Sequence, residues 1–223
     1  MIRTLRVARR SAVQSTTQIT NQIKALIVTA PAELREQLRS ITGRALMETL
    51  AALRPGPITT PTAATKMTLR TLARRHQFLA EEIAAVDAEL DRLTEEVAPD
   101  LRALIGVGTD VAGALLVAAG DNPERLRSEG SFAHLCGVAP LPASSGKTTG
   151  RHRLNRGGNR QANNALWRIV VTRMAWHQPT KDYVARRTQG GLSKKEIIRC
   201  LKRYVAREIF HVLIARRELA QAA

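Results

Sequence analysis

Two adjacent serines stand in the run Ala143-Ser144-Ser145-Gly146-Lys147, and Arg151, Arg153, Arg156 and Arg160 follow closely. That combination has a specific chemical use. A seryl oxygen on a glycine-flanked turn can attack a phosphodiester, provided that a base or charge activates it and cationic donors surround the phosphate. The resulting phosphoserine keeps the energy of the broken bond, so the reverse displacement rejoins a strand without ATP. Lys147, Arg151, Arg153, Arg156 and Arg160 supply the cations, and Asn159 adds an amide beside them. A loop of this composition can equally serve only to bind phosphate, and the residue types alone leave both readings open.

A second candidate lies upstream, in Leu104-Ile105-Gly106-Val107-Gly108-Thr109-Asp110. An apolar helix end, a Gly-X-Gly turn and a small-residue helix outline a helix-hairpin-helix. Gly106 and Gly108 would let the backbone turn tightly, and the amides of the next helix could face a phosphate. Thr109 or Asp110 could cap that helix. An ordinary helical hairpin, its glycines serving only close packing, reads the same way.

Charge favours a polyanionic partner. The chain has 223 residues, with 35 Lys+Arg against 19 Asp+Glu, a net charge of +16. Residues 145–207 alone hold 16 basic and two acidic groups, Asp182 and Glu196. Phosphate contacts release condensed counterions, and arginine, 28 of the 35 cations, suits forked contacts. Arg199, Lys202 and Arg203 extend the basic surface along the last helix, and Arg168 and Arg173 form a basic face on the one before it. Aromatic residues make up only 3% of the chain, which argues against base stacking as the main binding mode. No apolar run approaches the ~20 residues of a membrane span. Cys136 and Cys200 make neither a disulfide framework nor a metal spacing. A soluble, reduced, cytoplasmic protein associated with nucleic acid is expected.

The positioning elements read as helices throughout, giving an all-α fold. Residues 3–28 lack Pro and Gly and carry a stripe of Leu5, Ile19, Ile23, Leu26 and Ile27. A second helix is expected over about 32–53, with Gly43 as an interruption, and a linker over 54–64. From Thr65 to Val97, Leu69, His76, Ile83, Leu90 and Val97 repeat every seven residues, as do Leu72, Leu79, Val86 and Leu93. That is a coiled-coil seam, free to pair within the chain or between copies. The acids Glu81, Glu82, Asp87, Glu89, Asp91, Glu95 and Glu96 fall mostly off the seam and read as a solvated face. Pro99 and Asp100 mark a boundary between a helical and coiled-coil region, 1–100, and a basic domain, 101–223. Further helices are expected from Pro123 to Leu135, from Gln161 onward and over about 193–219, the last opened by a Ser193–Glu196 capping box. The segment 137–160 has no helical period and reads as a Gly/Ser/Arg-rich loop.

Three runs, GVGTDVAGALLVAAGD, FAHLCGVAP and ASSGKTTGRHRLNRGGNRQANNALWRIV, together resemble the C-terminal transposase domain of the Piv/MooV-like insertion-sequence transposases, DEDD-type serine recombinases guided by a bridge RNA. The resemblance covers about Leu101 to Ala215, and Asn21-Gln22 with Thr29-Ala30-Pro31 resembles the family's preceding helices. It implies a bacterial DNA transposition protein acting on element ends and target, with a bridge RNA; the expectation of a homo-oligomer comes from the heptad seam. It places the nucleophile on the Ser-Ser-Gly element, at Ser145 in preference to Ser144. Magnesium is expected only in the family's RNase H-like domain, which this chain does not resemble, and no metal ligand is assigned here. A DNA- or RNA-binding protein without strand transfer is the alternative.

Overall fold

In the computed structural model, residues 1–120, 126–142, 152–154 and 157–222 are described, with the backbone alone for 153–154 and 216–222. They are all-α apart from one small hairpin. Two compact units divide the chain within its longest helix, Arg3–Glu89 and Leu90–Ala223.

The first unit is a helical hairpin capped by two short helices. Helix α1 (Ile2–Val28) ends at the Thr29–Ala30–Pro31 break. The expected second helix is in fact two, α2 (Ala32–Leu38) and α3 (Gly43–Ala51). Gly43 opens α3 at φ +60°, a conformation that interrupts the helix and favours glycine. Helix α4 (Pro61–Val97) starts at Pro61, so the linker is shorter than expected. Ile19 and Ile23 of α1, Leu34 and Leu38 of α2, Leu46 and Leu50 of α3, and Leu69 and Ala73 of α4 form one core. Near the other end of α1, Arg9 holds both oxygens of Asp87, one at 3.2 Å. These pairings run α1 antiparallel to α4. The seam residues Leu69, Leu72 and Leu79 therefore pack inside the chain.

The second unit begins with the last two turns of α4, where Leu90 and Leu93 are buried. Helix α5 (Pro99–Arg102), α6 (Thr109–Ala119), α7 (Glu129–Leu135), α8 (Arg160–Trp176), α9 (Gln178–Gln189) and α10 (Lys194–Ala222) follow. Leu101, Leu115, Phe132, Leu166, Ile169, Ile197 and Ile209 are at its core. Helix α6, with Ala112, Gly113 and Ala114 buried, lets its neighbours approach closely.

Helix α7 is shorter than the sequence suggested. Ser128 caps it: its hydroxyl accepts from Ser131 N–H at 3.2 Å, and the Ser131 hydroxyl accepts from Ser128 N–H at 3.0 Å. That reciprocal box starts the helix at Glu129, and the expected start at Pro123 lies outside the described residues. Its other end is a Schellman turn, with Gly137 at φ +65° and Val138 N–H reaching Ala133 O at 2.8 Å. The chain then enters β1 (Pro140–Pro142), which pairs antiparallel with β2 (His152–Leu154). Strands were not expected here. Proline cannot donate to a ladder, so Pro140 and Pro142 leave Leu141–Arg153 as the pair able to exchange both bonds.

Candidate functional site

The hairpin brackets the serine run. Ser144, Ser145, Lys147 and Arg151 fall between β1 and β2, outside the described residues; Arg156, which follows β2, is outside them too. Arg153 is described through its backbone, in β2 opposite Leu141. The described residues show how the chain on either side of this hairpin is held.

Gly158, at φ +94°, lies against the end of α7. A Cβ there would meet Gly137 N at 2.6 Å and the carbonyls of His134 and Leu135 at 2.8 Å, all backbone atoms. Asn159 is spent on local structure. Its N–H donates to Leu135 O at 2.6 Å, and its Oδ1 caps α8 by accepting from Gln161 and Ala162 N–H. One turn on, Asn163 donates from Nδ2 to Cys136 O at 2.9 Å and Gly137 O at 3.1 Å. Its Oδ1 accepts from Lys202 Nζ at 3.0 Å. The chain leaving α7 and the chain returning to α8 are thus clamped at one place.

Lys202 differs from the sequence expectation. It is 9% exposed, and burial, followed by the nearby Arg199, holds its ammonium below the ordinary lysine pKa. It supports the clamp rather than the surface. Asn163, which sequence reasoning missed, sits four residues after the Asn159 cap, and that i, i+4 amide pair was its available signal. Burial also pushes the Cys136 thiol up to about 12, which makes it an inert core side chain.

The glycine turn upstream has two different glycines. Gly106, at φ +88°, packs on α8, where a Cβ would stand 3.2 Å from Ile169 Cα and O. Gly108 is extended, precedes α6 as its N-cap, and faces open space. Neither Thr109 nor Asp110 caps α6. The Thr109 hydroxyl donates to Asp91 at 2.5 Å and accepts from Arg102 at 3.0 Å, while Arg102 also binds Asp91 and Glu95. Asp110 pairs with Arg168 at 2.5 Å. Gly106, Gly108, Thr109, Asp110, Arg168 and Thr172 help to line an open cleft of about 400 Å³.

Arg173 was placed on a basic face by sequence, yet it is buried. Nε donates to Ile105 O at 2.8 Å, and the two terminal nitrogens bind the Glu208 carboxylate at 2.6 and 3.1 Å. It ties the glycine turn to α8 and α10. Glu129 gathers Arg207 at 2.7 Å, His211 at 3.2 Å and Arg203 at 3.6 Å, and the Arg207 hydrogen bond leads in lowering its pKa. Arg199 and Arg160 remain exposed. The Ser193–Glu196 box forms as expected, with Ser193 N–H donating to Glu196 at 2.9 Å. Among the described residues, no cluster of three or more His, Cys, Asp or Glu could hold a metal ion, and no helix is long and apolar enough to cross a membrane.

Residues 98–185 match the model of the Transposase IS116/IS110/IS902 family. The matched span takes in the glycine turn, the hairpin, α8 and most of α9, and stops before Arg186. Over 138 residues the chain is 30% identical to the "Insertion element IS110 uncharacterized 43.6 kDa protein" of Streptomyces coelicolor (strain ATCC BAA-471 / A3(2) / M145). That alignment covers 60% of this chain and 33% of the relative, so the chain spans a third of the relative's length. The similarity to that transposase family thus lies in residues 98–185.

Proposed function

We propose that this chain works in DNA transposition, breaking and rejoining strands through a phosphoserine on Ser145. The observation that carries the reading is the transposase-family match over residues 98–185, which contains the whole serine hairpin. The clamp of Gly158, Asn159, Asn163 and Lys202 supports it, because a nucleophile on a loop needs a fixed base to meet one phosphate repeatedly.

In the proposed step, the Ser145 Oγ–P bond forms as the P–O bond to a deoxyribose breaks. The seryl proton passes to a base, and the departing sugar oxygen takes one up. Lys147, Arg151, Arg153, Arg156 and Arg160 stabilise the charge that gathers on the phosphate. Element ends and target are the DNA partners, a bridge RNA guides them, and the working form is a homo-oligomer. On this reading, magnesium belongs to an RNase H-like domain, and no residue of this chain is assigned to it.

The test is a covalent protein–DNA adduct on nicked element-end DNA, assayed with an RNase H-like domain of the family supplied. Ser145→Ala is expected to abolish the adduct and leave DNA affinity within about twofold, since it removes no charge. Ser144→Ala is expected to keep it. The reverse pattern would move the nucleophile by one position. Adducts that survive the double variant would place the nucleophile outside the Ser-Ser-Gly run and leave the loop as a phosphate clamp, whereas no adduct from the unsubstituted chain would favour binding without strand transfer.

A further inference from the structure

The chain has two Trp and two Tyr residues, and all lie within residues 167–204. None is buried. Trp176 is 81% exposed, Tyr204 56% and Trp167 45%, while Tyr183 is half-buried. The core of the same unit is built from Leu, Ile, Val, Ala and Phe instead. Large aromatic rings held at the surface of so basic a segment need a reason, because burying them would have contributed more to stability.

Tyr183 and Tyr204 meet across α9 and α10, edge to face, with ring centres 5.8 Å apart. Arg186 and Arg187, three and four residues beyond Tyr183 on α9, set their guanidinium carbons 5.6 and 6.0 Å from its ring centre. The Arg187 Nε is enclosed and makes no hydrogen bond. On α10, Arg199 is exposed as well, although its spacing of five residues sets it about 140° round the helix from Tyr204. Of the nearby acids, Asp182 takes a hydrogen bond from Gln178 at 2.7 Å, and Glu196 caps α10 through Ser193 while its charge is also favoured by Arg199. Among the described residues, Arg186, Arg187 and Arg199 have no carboxylate within 4 Å, whereas Arg168, Arg173 and Arg207 each have one.

We propose that the α9–α10 face around Tyr204, Tyr183, Arg186 and Arg187 binds an unpaired nucleic-acid strand, with a base stacked on Tyr204 and the flanking phosphates on the arginines. Exposed rings interleaved with cations favour this partner over duplex, whose bases are already stacked on one another. The surface is separate in sequence from the serine hairpin, and most of it lies beyond the span matched by the family model. The proposal rests on the nucleic-acid part of the function given above and is independent of any serine chemistry.

The experiment measures fluorescence anisotropy of the full chain with labelled oligo(dT), oligo(rU) and a duplex of mixed sequence. Tyr204→Ala is expected to weaken single-strand binding about tenfold and to leave duplex binding within about twofold. Tyr204→Phe keeps the ring and is expected to restore single-strand affinity, which separates stacking from folding. Arg186→Gln with Arg187→Gln is expected to weaken the same complex and flatten its salt dependence. A preference between oligo(dT) and oligo(rU) identifies the strand as DNA or RNA. Duplex binding with single-strand affinity indifferent to Tyr204→Ala would overturn this proposal alone. Failure to bind any of the three polymers would overturn the nucleic-acid reading with it.

Discussion

Gly158 shows how much can depend on one missing side chain. Its Cβ position is occupied by three backbone atoms of the α7 turn within 2.8 Å, and its φ of +94° is one that L side chains rarely adopt. Backbone cannot rotate away as a side-chain tip can, so Gly158→Ala is expected to cost about 3 kcal/mol, read as a lower urea midpoint. Gly108→Ala, with open space around the added methyl, is the matched control and is expected to stay within about 0.5 kcal/mol. Lys202 adds a pH dependence. Its pKa is depressed in the folded chain, so the unfolded chain binds that proton more tightly. Stability from this group should therefore rise as pH climbs from the depressed value toward the ordinary 10.5, and level off above it. Lys202→Met is expected to remove that rise, checked by urea midpoints at a series of alkaline pH values. An unchanged slope would place the buried charge elsewhere.

Helix α8 is the element on which the second unit is assembled. Its first turn caps itself through Asn159 and clamps α7 through Asn163; its middle meets Gly106 of the upstream turn; its last turns send Arg173 to Ile105 O and Glu208. The guanidinium of Arg173 fills a bidentate carboxylate and a backbone carbonyl together, and its side chain is only 10% exposed. Arg173→Met is expected to cost about 3 kcal/mol, because Glu208 and the Ile105 carbonyl lose their donors. The double variant Arg173→Met, Glu208→Leu is expected to recover part of that loss, since no carboxylate is then stranded. Thermal unfolding of both variants separates an ion pair from simple packing. If the two are equally destabilised, the loss is steric. The sequence showed α8 clearly through Leu166, Ile169, Val170 and Met174, but it could not show that Arg173 turns inward.

At the scale of the whole molecule, the question is which of the many cations are free to meet a phosphate. The net charge of +16 is spread over residues with very different partners. Lys202 is buried, and Arg203 and Arg207 share Glu129 with His211, whereas Arg199 is exposed. The log–log salt dependence of DNA affinity should carry a slope near −0.9 for each phosphate contacted. Arg199→Gln with Lys195→Gln is expected to make it shallower, by about one contact each if both are engaged. Lys202→Met is expected to leave it almost unchanged, although it too removes a formal positive charge. Equal effects from the two variants would show that the surface is a diffuse cloud and not a set of particular contacts.

The sequence by itself determined most of the helices, the breaks at Pro31 and Gly43, the Ser193–Glu196 cap and the position of the serine run between two helical blocks, and it set the start of α4 a few residues late. These depend on periodicity and turn chemistry within one or two helical turns, which local residues dictate. It also identified the basic half and the family likeness, the latter through runs of residues rather than through any geometry. Only the tertiary structure decided that the α4 seam packs against α1–α3, that a strand pair brackets the serines, and that Arg173 and Lys202 are inside. Each of those outcomes depends on a partner distant in sequence: Asp87 is 78 residues from Arg9, and Glu208 35 from Arg173. Ile19 and Leu69 share one core from opposite ends of the first unit. A charged residue looks alike in sequence whether it faces water or a buried carboxylate, and the fold alone determines which of the two it meets.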